Sequence, residues 1–400
     1  MFRTDFPQNG SLPVLGKFQT PYYRTEISMK YLFTGGGTAG HITPALAVAE
    51  VLRETEDDAE ILFVGREGGA ENERVRALGY KVRELPVAGF ERRFTMKNVK
   101  AILTLCRGLG TAGRILDEER PAVILGTGGY VSYPILHVGA RRGISVFLHE
   151  SNAAPGLAAR RLAARCEAVL LGVPGSEGAF PASVHTEVVG NPVRRGFCER
   201  SKKEEKRRLG IPPDRLMILS FGGSLGSERM NELLLSFLAE DSSEQKKILH
   251  IHATGERYFS SLPEKYKRFT KGGGNCRILP YIDDMPRLMR AADIVISRGG
   301  AMTLSELAVA ECAAILIPSP NVTENHQYKN AKHLSDAGAA ILIEETELSE
   351  KSLTDAVRLL ETDAARRLSM SRAIARFAMP GAAEKIAKIL KSAAAGEKSR

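Results

Sequence analysis

Four hundred residues exceed what one hydrophobic core usually holds, so two domains are expected. With 43% apolar and 26% charged residues the chain is a folded globular protein, and no run of about 18 apolar residues offers a membrane-spanning helix. A formal net charge of +9 suits a phosphorylated substrate or an anionic membrane surface, whereas 6% aromatic content without a basic recognition motif argues against nucleic acid.

In chain order, residues 1–28 read as an extension with no assigned function. Phe6 to Pro13 is turn-like, no signal-peptide pattern is present, and Met29-Lys30 stands directly before the first strand, where translation could start. Apolar runs then alternate with helical patterns. Strands are expected at 30–34, 60–65, 80–85, 121–125, 144–148, 168–172 and 187–189. Helices are expected at 43–54, 70–78, 96–117, 131–141 and 155–164. Gly190-Asn191-Pro192-Val193-Arg194 closes the first half with turn residues, and the charged stretch Glu199 to Arg208 reads as a solvated helix face. The second half repeats the alternation, with strands at 216–221, 248–253, 276–279, 293–296, 314–317 and 340–342. Its helices are expected at 228–238, 285–291, 302–310, 326–336 and 349–359. Met379-Pro380-Gly381 then breaks the pattern, so Ala382 to Leu390 could turn back onto the first domain. Such alternation means parallel sheets with crossover helices.

The chemistry sits at strand–glycine–helix junctions, which aim unpaired backbone N–H groups at an anion. One is Gly35-Gly36-Gly37-Thr38-Ala39-Gly40-His41, and a second is Gly126-Thr127-Gly128-Gly129-Tyr130. A third is Gly222-Gly223-Ser224-Leu225-Gly226, and a fourth is Arg298-Gly299-Gly300-Ala301. Tight helix–strand packing is the steric alternative for each. Gly35, Gly37 and Gly40 fit the dinucleotide spacing. However, Glu54 and Glu56 fall at a helix end, while the second strand ends at Val64-Gly65-Arg66, so a dehydrogenase is a weak reading.

His41 would stand at a helix N-terminus, where the dipole favours neutral imidazole. Two roles stay open for it: base toward a sugar hydroxyl, or donor to phosphate. In Leu148-His149-Glu150-Ser151-Asn152, the polar residues form either a pocket wall or a helix cap. Thr303 and Glu306 share a helix face, where the carboxylate would either accept both hydroxyls of a ribose or cap the helix. No carboxylate pair is set up for a metal; Mg²⁺ could arrive with a nucleotide diphosphate, and no tightly bound cofactor is expected. Five scattered cysteines without a Cys-x-x-Cys pair argue against disulfides or zinc. Between Arg92 and Arg114 there are six basic residues and no acidic one. Val99, Ile102, Leu103, Cys106 and Leu109 lie near helical spacing there, a pattern shared by bilayer-surface helices and ordinary basic domain helices.

The series Gly36 to His41, Gly128-Gly129-Tyr130-Val131-Ser132, Leu148 to Asn152, Gly190 to Arg194, Gly222-Gly223-Ser224, Tyr281 to Met285, Arg298 to Glu306, His326-Gln327 and Asn330-Ala331 closely resembles the MurG family. These are the bacterial N-acetylglucosaminyltransferases of peptidoglycan synthesis, and the match runs over roughly 29–395. The resemblance implies a GT-B fold of α/β class. Two Rossmann-like, doubly wound domains, 29–193 and 194–378, would face across a cleft, with a C-terminal helix at 379–395 returning to the first. It implies transfer of GlcNAc with inversion from UDP-GlcNAc to the C4 hydroxyl of undecaprenyl-diphospho-muramoylpentapeptide. Lipid I would become lipid II at the cytoplasmic face of the plasma membrane (the inner membrane of a two-membrane cell), serving cell shape and division alongside other cell-wall synthesis proteins.

Carried over by residue, the donor site would comprise Thr38, Ala39, Gly40, Asn152, Arg194, Ser224, Ile282, Ala301, Met302, Thr303, Leu304, Ser305, Glu306 and Gln327. Ile282 would meet uracil through its backbone, Glu306 the ribose, and Ser224 the diphosphate. Gly37, Gly128, Gly129 and Tyr130 would meet the acceptor diphosphate, and His41 and Glu150 are the catalytic candidates. The chain departs from the family pattern at Ala39, where glycine is frequent, and at Leu225, where glutamine is common. Glu311-Cys312-Ala313 replaces a glycine-x-proline turn. These departures put fine donor affinity in doubt more than activity, and the extension 1–28 has no counterpart.

Overall fold

The computed structural model describes residues 29–37, 39–89, 96–240, 248–271, 274–322 and 325–396. The expected extension 1–28 and Thr38 lie outside them. In the first domain the elements run β1 (Lys30–Thr34), α1 (Ala39–Thr55), β2 (Glu60–Arg66), α2 (Ala70–Ala77), β3 (Lys81–Leu85) and α3 (Met96–Glu119). They continue with β4 (Val123–Gly126), α4 (Gly129–Arg141), β5 (Ser145–Glu150), α5 (Leu157–Leu162), β6 (Ala168–Leu171) and β7 (Thr186–Val188). The second domain opens with α6 (Lys202–Arg208), β8 (Leu216–Phe221), α7 (Glu228–Glu240), β9 (Ile248–Ala253), α8 (Glu256–Ser260), α9 (Glu264–Lys267) and β10 (Cys276–Leu279). It ends with α10 (Met285–Ala291), β11 (Ile294–Ser297), α11 (Ala301–Ala310), β12 (Ala313–Leu316), α12 (His326–Asp336), β13 (Ala340–Leu342), α13 (Glu350–Thr362) and α14 (Ala364–Ala375). The last helix is α15 (Ala382–Ala394).

The strands form a seven-stranded sheet ordered β3-β2-β1-β4-β5-β6-β7 and a six-stranded sheet ordered β10-β9-β8-β11-β12-β13. All pairings are parallel. Strand residues alternate between two buried faces, which is why these runs read as continuously apolar. Tyr31 and Phe33 enter the core on one face and Leu32 the core on the other; Met217 and Leu219 part from Ile218 in the same way. In each sheet the strand order reverses beside the first strand, between β1 and β4 and between β8 and β11. Helices leave to opposite faces there, so a crevice opens at the carboxyl ends of the strands. The glycine turns after β1, β4, β8 and β11 all stand at these crevices.

The return of the last helix is as expected. Ile386, Ala387 and Leu390 are buried in the first-domain core with Ala45, Ala49 and Leu52 of α1. The two chain crossings between domains touch: Gly190 has φ +89, and a Cβ there would lie 2.7 Å from Met379 Cβ.

Three local readings change. Helix α1 begins at Ala39, four residues before its expected start, with Pro44 inside it. The expected helix at 349–359 is α13, but the alanine-rich stretch beyond it forms a helix of its own, because the Asp363 carboxylate caps α14 by accepting Arg366 N–H at 2.8 Å. The Glu199–Arg208 stretch is not merely solvated. Glu205 and Lys206 are buried, Glu205 beside Arg200, Arg208 and Arg287, and Lys206 bound to Asp293 at 2.5 Å and to the Arg215 carbonyl at 2.9 Å. Buried charges persist only when paired in this way.

Glu311 ends α11 in the left-handed region at φ +54, ψ +47, the conformation that makes glycine frequent at such helix ends. Its carboxylate gains little in return, lying 3.7 Å from Arg290 on an exposed side chain. Glu311→Gly is therefore expected to stabilise the protein by about 0.5–1 kcal/mol, after the entropy cost of glycine is subtracted. Urea unfolding of the two proteins checks this, and a destabilised glycine variant would contradict it.

Candidate active site

On the first domain the two glycine turns interlock. Gly37 turns the chain at φ +89, and its N–H is accepted by Glu71 Oε1 of α2 at 3.0 Å. With Gly37 carrying the positive φ, Ala39 sits in ordinary helical backbone and alanine there is unstrained. A Cβ on Gly128 would lie 3.0 Å from His41 Cδ2, and one on Gly129 only 2.2 Å from the Gly36 carbonyl oxygen. Thr127 Oγ1 donates to the His41 carbonyl at 2.5 Å, and the Tyr130 ring packs over Gly37. The glycines at 128 and 129 thus have a steric reason to be glycine, independent of any phosphate.

His41 lies in the first turn of α1. Its Nδ1 is 3.1 Å from the Gly36 carbonyl, which can only accept, so Nδ1 carries hydrogen and Nε2 is the basic nitrogen. Burial pushes the imidazole below the usual histidine range; the Gly36 carbonyl, Glu150 and Glu71 oppose this and His326 of the second domain reinforces it. Neutral imidazole was expected from the helix dipole, but burial is the larger cause.

Glu150, a catalytic candidate, is committed to local structure. Its Oε1 accepts both Asn152 N–H and Asn152 Nδ2 at 3.0 Å, and its Oε2 accepts Gly156 N–H at 3.1 Å. It folds the 151–156 turn and fixes the Asn152 amide at the cleft. His149 points away, donating from Nε2 to the Gly190 carbonyl at 3.1 Å, and burial holds it down at about 4. The helix-cap reading of this segment does not hold, since α5 starts after Gly156 and no side chain caps it.

On the second domain, the turn after β8 borders a groove of about 660 Å³ whose walls include Gly223, Ser224, Arg298, Ser319 and Gln327. Leu225 projects from its rim, 75% exposed. Gln327 is held by accepting Ser319 N–H at 2.9 Å, and Arg298 is held by Glu345 and Ser227. In α11, Ala301, Thr303 and Ser305 are partly exposed, while Met302, Leu304 and Glu306 are buried. Leu304 and Ile282 put their side chains into the hydrophobic core, so each can offer a ligand its backbone alone.

Glu306 is 9% exposed, and burial drives its carboxyl up to about 8 against the opposing charge of Arg194. Arg194 itself is bound across the interface, Nε to Glu50 Oε1 of α1 at 2.8 Å. Further contacts close the cleft. Asn191 Nδ2 donates to Ser305 Oγ at 3.0 Å, Ser151 Oγ lies 3.6 Å from Met302 Sδ, and Arg74 of α2 reaches Glu256 at 3.2 Å. The sequence reading missed Glu50, Glu71, Arg74, Thr127, Asn191 and Tyr281. Thr127, Asn191 and Tyr281 stand inside motifs that the sequence marks, whereas Glu50, Glu71 and Arg74 pair over long separations that carry no local signal. Among the described residues no group of three or more His, Cys, Asp or Glu is arranged to hold a metal ion.

Comparison with known proteins relates both halves of the chain to one family. Residues 31–171 match the glycosyltransferase family 28 N-terminal domain and residues 217–386 the glycosyltransferase family 28 C-terminal domain. The UDP-N-acetylglucosamine--N-acetylmuramyl-(pentapeptide) pyrophosphoryl-undecaprenol N-acetylglucosamine transferase of Thermoanaerobacter sp. is 39% identical over 366 residues, 91% of this chain and 100% of that protein. Acinetobacter baumannii MurG superposes with a TM-score of 0.66 at 24% identity, covering 91% of this chain and 99% of its own. A putative UDP-N-acetylglucosamine 2-epimerase from Listeria monocytogenes scores 0.64 at 13% identity, covering 93% and 98%. The two structural matches share the fold; the sequence relationship separates them.

Glu306 yields a pH test. Its folded value of about 8 lies above the ordinary 4.5, so the stability it contributes is complete below about 4.5 and is lost as pH rises through 8. Thermal unfolding of wild type and Glu306→Gln should therefore diverge between pH 5 and 8 in favour of the glutamine variant, at roughly constant difference above that range. A difference independent of pH would refute the buried, neutral carboxyl.

Proposed function

The chain belongs to the MurG family, within glycosyltransferase family 28, and on that premise we propose that it converts lipid I to lipid II. It is a glycosyltransferase that moves GlcNAc from UDP-GlcNAc to the C4 hydroxyl of undecaprenyl-diphospho-muramoylpentapeptide. The observation that carries this reading is the full-length relationship to the Thermoanaerobacter transferase, joined to two facing anion-type turns across one cleft.

In this reading UDP lies on the second domain. The uracil edge meets the Ile282 backbone, the ribose hydroxyls meet Glu306, and the diphosphate lies on the N–H groups of 222–225 with the Ser224 hydroxyl, the Gly226 N–H being donated to the Gly223 carbonyl at 3.0 Å. Those groups are fixed before reaction, so they stabilise the charge that grows on the diphosphate without reorganising. Arg194 would complete the donor site on the linker side, and Ala301, Met302, Thr303 and Ser305 with Gln327 would line the sugar. Gly40 and Asn152 would face the sugar from the first domain, with Thr38 outside the described residues, while Gly37, Gly128, Gly129 and Tyr130 would offer the acceptor diphosphate its cradle. The acceptor C4 oxygen attacks the anomeric carbon from the face opposite UDP. The new C–O bond forms as the bond to phosphate breaks, UDP leaves with the electron pair, and the hydroxyl proton passes to a base. His41 suits that task, being neutral with Nε2 as its basic nitrogen. Mg²⁺ enters, in this reading, with the nucleotide rather than on protein ligands.

Docking at the cytoplasmic membrane face is supported by α3. Ile102 and Leu103 are 50% and 63% exposed on this helix, which also carries exposed Arg107 and Arg114. Arg92 and Arg93, and the side chains of Lys97, Val99 and Lys100, lie outside the described residues. Among the described residues no helix is long and apolar enough to cross a membrane.

Purified protein is expected to release UDP from UDP-GlcNAc only when a lipid I analogue is present, with a disaccharide product. Epimerised sugar without acceptor would assign the chain to the epimerase chemistry instead. Glu306→Ala should raise the donor KM about 10- to 100-fold, since hydrogen bonds to a charged group contribute roughly 1.5–3 kcal/mol. His41→Ala should lower kcat by about 10²–10⁴ at unchanged UDP affinity; a loss under about threefold would remove the base role.

A further inference from the structure

Helix α2 touches both walls of the cleft. Glu71, in its first turn, accepts the Gly37 N–H and so ties the helix to the β1–α1 turn that carries His41. In its second turn, Arg74 leaves the first domain altogether. Its guanidinium lies 3.7 Å from the centroid of the Tyr281 ring, and Nη2 is 3.2 Å from Glu256 Oε1. Both partners belong to the second domain, and Tyr281 directly precedes Ile282, the residue assigned to uracil. None of the five clusters of buried apolar residues mixes the two domains, so polar and ring contacts of this kind set their relative position.

We propose that Arg74 is a positioning residue for glycosyl transfer. Its clasp on Tyr281 and Glu256 holds the nucleotide wall at a fixed distance from the α2–Gly37–His41 assembly, so that a donor bound on one domain meets the acceptor loops of the other. The inference rests on the transferase reading of the cleft. Stacking is the stronger half of the clasp. Glu256 is 68% exposed, so its ion pair is weak, whereas Tyr281 is half-buried and its ring face is covered by the guanidinium. The two contacts together amount to roughly a factor of ten in the closed-to-open equilibrium. UDP is held by the second domain, so the clasp should act on turnover rather than on nucleotide affinity.

The experiment compares wild type with Arg74→Ala, Arg74→Lys and Glu256→Gln. The readouts are kcat with UDP-GlcNAc and a lipid I analogue, UDP affinity by calorimetry, thermal midpoint, and an inter-domain spin-label distance by pulsed EPR. Arg74→Ala should lose about tenfold in kcat, keep UDP affinity within twofold and keep its thermal midpoint. Its inter-domain distances should broaden toward longer values. Lysine keeps the charge but not the planar stack and should fall between, while Glu256→Gln should cost about twofold. Unchanged kcat and distances in Arg74→Ala would overturn the proposal. So would a kcat loss matched by equal losses in UDP affinity and thermal midpoint, because the residue would then be structural. If wild type itself shows no acceptor-dependent UDP release, the transferase reading fails, and the EPR distances alone still decide whether Arg74 holds the cleft.

Discussion

Unpaired backbone groups at the carboxyl ends of parallel strands are the resource on which the rest of this molecule depends. A parallel sheet wound both ways must reverse its strand order once, and the two turns at that point stand side by side with their N–H groups pointing outward. Here this happens twice, at β1/β4 and at β8/β11. Everything with a chemical reading lies at or beside one of these points. The four glycine-rich turns are short because helix and sheet pack closely, and that closeness makes the backbone the main ligand. Leu304 and Ile282 illustrate it: their side chains serve the core while their peptide groups remain available to the cleft.

The second constraint is the linkage between the domains. Each domain keeps its own apolar core, and the chain crosses between them at Gly190 and again near Met379, where the two crossings are in contact. Around these crossings lie Arg194 with Glu50 and Arg195 with Glu54 and Glu384, ion pairs that are partly or largely exposed. Such pairs contribute on the order of 0–1 kcal/mol each, far less than a shared hydrophobic core would. The linkage is therefore built mainly from polar contacts, among them the Asn191–Ser305 bond and the Arg74 clasp. Arg194 stands between a carboxylate of the first domain, Glu50, and the field of Glu306 in the second.

Much of this was legible in the residues, and the limits follow from physics. Most strands were readable because the inner ones are buried on both faces and flanked by glycine or helical periodicity. The return of α15 was readable from the break at Met379-Pro380-Gly381 followed by Ile386, Ala387 and Leu390 at helical spacing. The start of α1 was not, since the apolar periodicity begins only near Ala45, whereas the helix itself runs from Ala39. Membership of the cleft was legible wherever a motif marked a turn. The partners of those motifs were not: Glu71, Arg74 and Glu50 are ordinary charged helix residues until tertiary structure puts them against Gly37, Tyr281 and Arg194. Glu150 shows the converse, a motif carboxylate whose bonds turn out to be spent on its own loop.

The two titratable groups of greatest interest face opposite demands from the same environment. Burial disfavours charge on both, so His41 falls below and Glu306 rises above its ordinary value, and both are neutral when the cleft is empty. For a base toward a sugar hydroxyl, neutrality is the working state. For a ribose ligand it is not, because a carboxylate accepts from two hydroxyls where a carboxylic acid must donate from one oxygen. In the proposed reading of Glu306 as the ribose ligand, donor binding would therefore release a proton from it, helped by hydroxyl hydrogen bonds and by the nearby Arg194 charge. Wherever pH lies below the free-protein value of about 8, part of the binding energy goes into that ionisation. In that reading the same low-polarity cleft that keeps His41 neutral weakens nucleotide affinity. Such weakening favours turnover, since UDP must depart after every transfer, and it places the cost on the ground state rather than on the transition state.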